Sequence, residues 1–207
     1  MFGHVLSGME QNPALWIYRN LLLWLLFYTG GMLLTGRIAA QEIFQKKYYI
    51  LIRYGNYEKW WQYLFIKIIR EMFFYVLAVW IICNLGMLFI PEEFTLSNKI
   101  KILSFFLLVL SWTMLAVIQM VIMLWMENMK VPFVFMLLCT IAALWGSGQL
   151  DRLGKFIPFN WGMILRSNIY QEQGYSIVSV FFSEIVTLVF LYRYFIRFRQ
   201  RLKGEQL

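Results

Sequence analysis

The sequence predicts an all-α fold: a polytopic transmembrane helical bundle of about five spans, with a cytoplasmic interfacial helix–turn–helix elbow. Three observations predict it. The 207 residues are 61% hydrophobic and only 14% charged, whereas a soluble domain is typically about half apolar and about a quarter charged. The apolar residues gather into runs close to the ~20 residues that cross a hydrocarbon core. The basic residues concentrate in alternate loops, as topology determinants do. A chain of this length suits one domain, residues 1–207, and the mean hydropathy of +0.62 fits a membrane bundle.

The first run covers 15–36. No basic residue precedes Arg19, so the stretch lacks the positive flank of a cleavable signal peptide and reads as a retained span. An elbow follows over 40–70, then spans at 72–90, 102–126 and 132–146. The fourth is short, which implies tilt, bilayer thinning or a break near Gly146-Ser147-Gly148. The segment 147–176 is amphipathic and aromatic. Pro158 and Gly162 interrupt it, so it either lies on the external interface or dips back into the bundle. The last span is 177–194.

The 19 basic residues orient these elements. Seven lie between the first two spans, from Arg37 to Arg70, five more follow from Arg193, and Lys130 sits between spans three and four. That face collects 13, against 6 on the other. The elbow and the C-terminus are therefore cytoplasmic, and the N-terminus is outside.

Several chemistries lack their residues. The net charge of +8 belongs to loops that meet anionic lipid, not nucleic acid. Cys83 and Cys139 lie inside apolar runs and read as small hydrophobes. The single histidine, His4, leaves no His-based metal or acid–base site in the bundle. Ser147 lacks a base to activate it. Glu92-Glu93 lacks metal-ligating partners and reads as a solvated pair. No GxxxxGK[ST] loop is present, so nucleotide is not bound here by that motif.

Two features do carry weight. Within the elbow, Phe44, Tyr48, Leu51 and Ile52 form one helical stripe over 40–53, while the basic residues fall largely elsewhere. Gly55 permits a helix end and Asn56 can cap the next helix, which carries Trp60, Trp61 and Tyr63 as headgroup anchors and continues through Lys67 and Arg70 into the second span. The elbow is either an anchor alone or a docking surface whose tip, Tyr54, Gly55, Asn56 and Tyr57, enters a partner. The second feature is Glu184, deep in the apolar "FFSEIVTLVF". An acid there must face the bundle interior, a polar path or a partner chain. Ser183 and Thr187 are its nearest hydrogen-bonding neighbours in sequence. It lines a substrate path with Ser183, pairs with a basic residue of a partner chain, or is a protonated, hydrogen-bonded carboxyl that holds helices together.

The stretch "QEIFQKKYYILIRYGNYEKWWQYLFIKII" resembles the first cytoplasmic segment of ABC-2-type transporter permeases. "IRYG…KWW…K" is similar to small permeases associated with peptide or bacteriocin export and immunity. In that family this segment is the coupling helix that contacts the ATP-hydrolysing subunit. The resemblance places Glu42 at the helix glutamate, Ile52-Arg53-Tyr54-Gly55 at the turn, and Lys59-Trp60 at the basic-aromatic return. The external "FIPFNWGMILRS", with Trp161 and Arg166, is similar to the segment before the last span. The family usually has six spans and a cytoplasmic N-terminus, and this chain departs from both. The resemblance implies a multi-pass permease of the bacterial plasma membrane, without its own catalytic site or cofactor. ATP and Mg would be bound by a separate ATPase, and a second permease chain would complete the transporter. The same features allow a non-transporting immunity or scaffold subunit of a membrane complex.

Overall fold

The computed structural model describes residues 16–45, 57–87, 98–126, 128, 130–146, 158–163, 167–169 and 174–204. Every extended element among them is helical. Helix α1 (Trp16–Ala39) continues as a π-helical turn, Ala40–Gln45, where the sequence had suggested a separate surface helix over 40–53. Helix α2 (Tyr57–Met87) is unbroken, as expected from the lack of any proline within it. Helices α3 (Asn98–Met126), α4 (Lys130–Gly146) and α5 (Ile177–Gly204) complete the bundle.

The helix starts have local causes. Asn128 Oδ1 accepts the Lys130 N–H at 2.8 Å, satisfying one of the amides that a first turn leaves without an intrahelical partner. Pro132 then falls in the first turn of α4, where its missing N–H is tolerated. At the start of α5 the Val180 N–H reaches the Ser176 carbonyl at 3.0 Å. Thr29, Thr35 and Thr140 would otherwise carry unpaired hydroxyls among apolar neighbours. Each donates to the carbonyl four residues earlier, at 2.7, 3.0 and 2.8 Å.

Helix α3 is the axis. It packs against all four other helices, and no face of it is polar. A helix apolar all round has to be surrounded. Its central residues Leu108, Trp112, Leu115 and Met120 belong to the same core as Trp24 and Tyr28 of α1, Trp61 and Met72 of α2, and Leu188 of α5.

Among the described residues, two helical stretches are long and apolar enough to cross a membrane, Asn98–Met126 and Ile177–Tyr194. They differ in one respect that matters. The α3 window is 72% buried, as a core helix is, but the α5 window is only 22% buried. Val178, Phe182, Ile185, Val189 and Phe190 form an open apolar face on α5. Ile66, Phe74 and Ile82 on α2 and Val134, Phe135 and Leu138 on α4 are similarly exposed. Meanwhile Ser104, Ser111, Gln119, Thr140 and Glu184 are buried. The surface is apolar and part of the interior is polar, the reverse of the usual distribution in water.

Candidate functional site

Two sites emerge, one halfway along α3 and one at the base of the elbow. The first begins with Ser111 and Trp112. Trp112 collects Tyr28 of α1 at 5.3 Å between ring centroids, and Tyr75 of α2, stacked at 5.4 Å. Ser111 turns the other way. Its hydroxyl donates to Glu184 Oε1 of α5. Glu184 is fully buried, and its Oε2 meets no donor among the described residues. The sequence had suggested Ser183 or Thr187 as its partners. The structure corrects this: the partner comes from another helix, and Ser183 is half-buried beside it.

The third contributor at this level is the turn 158–163. It opens with a short 3₁₀ segment, Pro158–Asn160, and reaches the middle of the bundle. Gly162 packs on α3: an added Cβ would stand at ordinary contact distance, 3.4 Å from Leu108 Cδ2 and 3.5 Å from Ser111 Cβ. Met163 is fully buried in the core. Among the described residues of the 147–176 segment, Gly162 and Met163 are turned inward.

Irregular backbone at such depth must have its carbonyls satisfied. Two tyrosines do most of this. Tyr28 Oη donates to the Phe159 carbonyl at 2.7 Å. Tyr175 Oη lies 2.8 Å from the Trp161 carbonyl and 2.7 Å from that of Met163. The Trp161 N–H closes the turn onto the Pro158 carbonyl at 3.2 Å. Tyr175 is itself fixed where Asn168 N–H meets its carbonyl at 2.9 Å. Two turns further along α3, Gln119 Nε2 donates to the Met32 carbonyl at 3.1 Å. A cavity of about 20 Å³ lies there between Tyr28, Gly31, Thr35, Trp112 and Gln119, room for about one water.

The second site is an ion pair. Lys67 Nζ donates to Glu42 Oε1 at 2.7 Å, with the Glu42 side chain 4% and the Lys67 side chain 18% exposed. Glu42 owes its burial to the π-helical turn, which carries it under α1 toward α2. Lys67 also stands 5.9 Å over the Tyr63 ring. Burial works against its charge. The hydrogen bond and attraction from Glu42, with smaller help from Tyr63, nevertheless hold the ammonium above the ordinary value of 10.5.

The remaining predicted site residues divide as follows. Ile52, Arg53, Tyr54, Gly55, Asn56 and Arg166 lie outside the described residues. Tyr57 opens α2, and Lys59 is exposed. Trp60 and Trp61, read from the sequence as headgroup anchors, are buried in the core instead. Trp161 is half-buried in the inward turn. Lys67, Ser111 and Tyr175 complete these sites and were not singled out as site residues, since their partners are remote in sequence. Among the described residues no three His, Cys, Asp or Glu side chains gather as metal ligands would.

Comparison with protein-family models, curated proteins and solved structures returned no match.

Proposed function

We propose that the chain is the membrane subunit of an ATP-driven exporter of the ABC-2 type, moving a peptide or other amphipathic molecule. It would span the bacterial plasma membrane about five times, with its C-terminus cytoplasmic. The apolar exterior and polar interior support the membrane placement, because lipid is the solvent in which such a surface is stable.

One observation carries the coupling role. The Glu42–Lys67 pair ties the π-helical turn after α1 to the third turn of α2, on either side of residues 46–56. A push on that segment reaches both helices together, and α2 and α1 both pack on α3. A separate ATPase docked on the elbow, binding ATP and Mg itself, would act through this clamp. A second permease chain would face it across the membrane.

The test is purification from the native membrane in mild detergent, with identification of the partners by mass spectrometry. A near-stoichiometric ATPase is expected, and Gly55→Pro or Tyr54→Asp should then uncouple ATP hydrolysis from transport. Membrane partners without any ATPase would replace this reading with that of a non-transporting immunity or scaffold subunit.

A further inference from the structure

We propose that Glu184 is a proton-binding site in the bundle interior, and that the turn 158–163 is the gate through which its proton exchanges with the outer face. The inference rests on the membrane placement proposed above, but not on the ATPase.

The setting of the carboxyl is the first ground. Glu184 is wholly buried, with one hydroxyl as its partner and one oxygen facing no donor among the described residues. A carboxylate uses about four acceptor sites, and leaving it ionised in an apolar interior on one neutral hydrogen bond is costly. A neutral carboxyl has a simple arrangement here. Its Oε1 keeps the hydrogen bond that the Ser111 hydroxyl donates, and the acid needs no further donors to hold a charge.

Among the described residues no cation stands beside the carboxyl to hold the ionised form. Of the elements packed on α5, α3 brings Ser111 to this level, and its nearest charge is Lys101 near its outer end. Ten residues separate Lys101 from Ser111, about 15 Å along the axis. Helix α2 brings Tyr75, whose hydroxyl is held by the Phe27 carbonyl at 2.8 Å, and the buried thiol of Cys83. Its Lys67, Arg70 and Glu71 lie at the cytoplasmic end. The hydroxyls of Tyr28 and Tyr175 are taken by the turn. On α5 itself the nearest charge is Arg193, more than two turns away.

The gate is the second ground. Gly162 packs on Ser111, the partner of the carboxyl, and beyond its short 3₁₀ segment the turn is held by the Tyr28 and Tyr175 hydroxyls and not by a long helical ladder. When the proton leaves, the carboxyl O–H bond breaks, the proton passes to water, and both carboxylate oxygens need donors. Among the described residues, the turn is the neighbour at this level that can lift by releasing side-chain hydrogen bonds, without unwinding a long helix. Lifting it admits water from the outer side, and reprotonation lets Gly162 close on Ser111 again.

Two measurements on the full chain in lipid vesicles test this. The infrared difference spectrum of wild type minus Glu184→Gln at neutral pH should contain the C=O stretch of a protonated carboxyl. Its absence would mean an ionised Glu184 and would overturn the proposal. Hydrogen–deuterium exchange of the 158–163 amides is then compared between the two proteins at the same pH, so that intrinsic rates cancel. The rates should match at neutral pH, and the wild type should exchange several-fold faster at alkaline pH. Equal rates at both pH values would overturn the gate. Neither measurement needs the ATPase, so their failure is distinguishable from failure to find that partner.

Discussion

Glu42 and Lys67, separated by 25 positions in sequence, meet at 2.7 Å between the π-helical turn that follows α1 and the third turn of α2. The contact joins a π-helical turn to a straight helix, and it lies below the span expected from residue 72 onward. Removing one partner of a buried pair costs more than the pair contributes, because the remaining charge has lost its compensation. Lys67→Met should therefore lower stability in detergent by about 2–3 kcal/mol, read as a drop in the thermal unfolding midpoint. Adding Glu42→Gln should restore much of the loss, and strictly additive effects would show that the two residues do not interact.

The same pair sets a pH dependence. The folded Lys67 value lies above the ordinary 10.5, so the folded state holds the proton more tightly than the unfolded chain. Its contribution is complete below the ordinary lysine value and is lost as pH rises through the folded value. The stability difference between wild type and Lys67→Met should thus be constant through neutral pH and narrow only in the strongly alkaline range. A difference that narrowed on acidification alone would point to another group.

Tyr175 holds two carbonyls of the inward turn with one hydroxyl. Tyr175→Phe keeps the ring and leaves both carbonyls without that donor. The expected cost is about 1–3 kcal/mol, the penalty for an unsatisfied buried polar group. Amide exchange over 158–163 should accelerate while α3 stays protected. Tyr28→Phe frees one carbonyl, that of Phe159, and should loosen the turn less.

Gly30 and Gly31 are adjacent, yet they should respond differently to substitution. A Cβ on Gly30 would collide with the Tyr75 hydroxyl, which the Phe27 carbonyl and the stacked Trp112 ring hold in place. A Cβ on Gly31 would meet Tyr75 Cε1 at 3.4 Å, an ordinary contact. Gly30→Ala should cost about 1–3 kcal/mol through overpacking, and Gly31→Ala clearly less. Equal effects in thermal unfolding would refute the packing assigned to Tyr75.

Much of this architecture is legible in the sequence. The lack of any proline from Asn56 to Met87 fits a continuous helix through Met87, and Pro158 with Gly162 marks where a long helix must fail. Glu184 stands out as an acid among apolar residues. The misreadings have physical causes. Trp60 and Trp61 looked like interfacial anchors because aromatic residues beside lysine usually are. A strongly apolar helix gives little periodicity to say which side faces inward, and here both rings do. The partners of Glu184 and Glu42 were hidden for another reason. Ser111 and Lys67 are brought to them by helix packing, and sequence spacing carries no record of that. For Lys67 one clue existed: Glu42 stands near one end of the 40–70 stretch and Lys67 near the other.

The pairing of Ser111 with Glu184 bears on how the protein is made. Chains emerge from the ribosome N-terminus first, so α3 is synthesised before α5. In the membrane reading, the acid-bearing segment reaches the bilayer when its hydroxyl partner is already waiting there. Glu184 is thus spared a passage through bare lipid, which a lone apolar segment carrying an acid would face at a cost of a few kcal/mol. The last helix should accordingly insert less efficiently when expressed alone than when the preceding helices accompany it, and Ser111→Ala should erode that advantage.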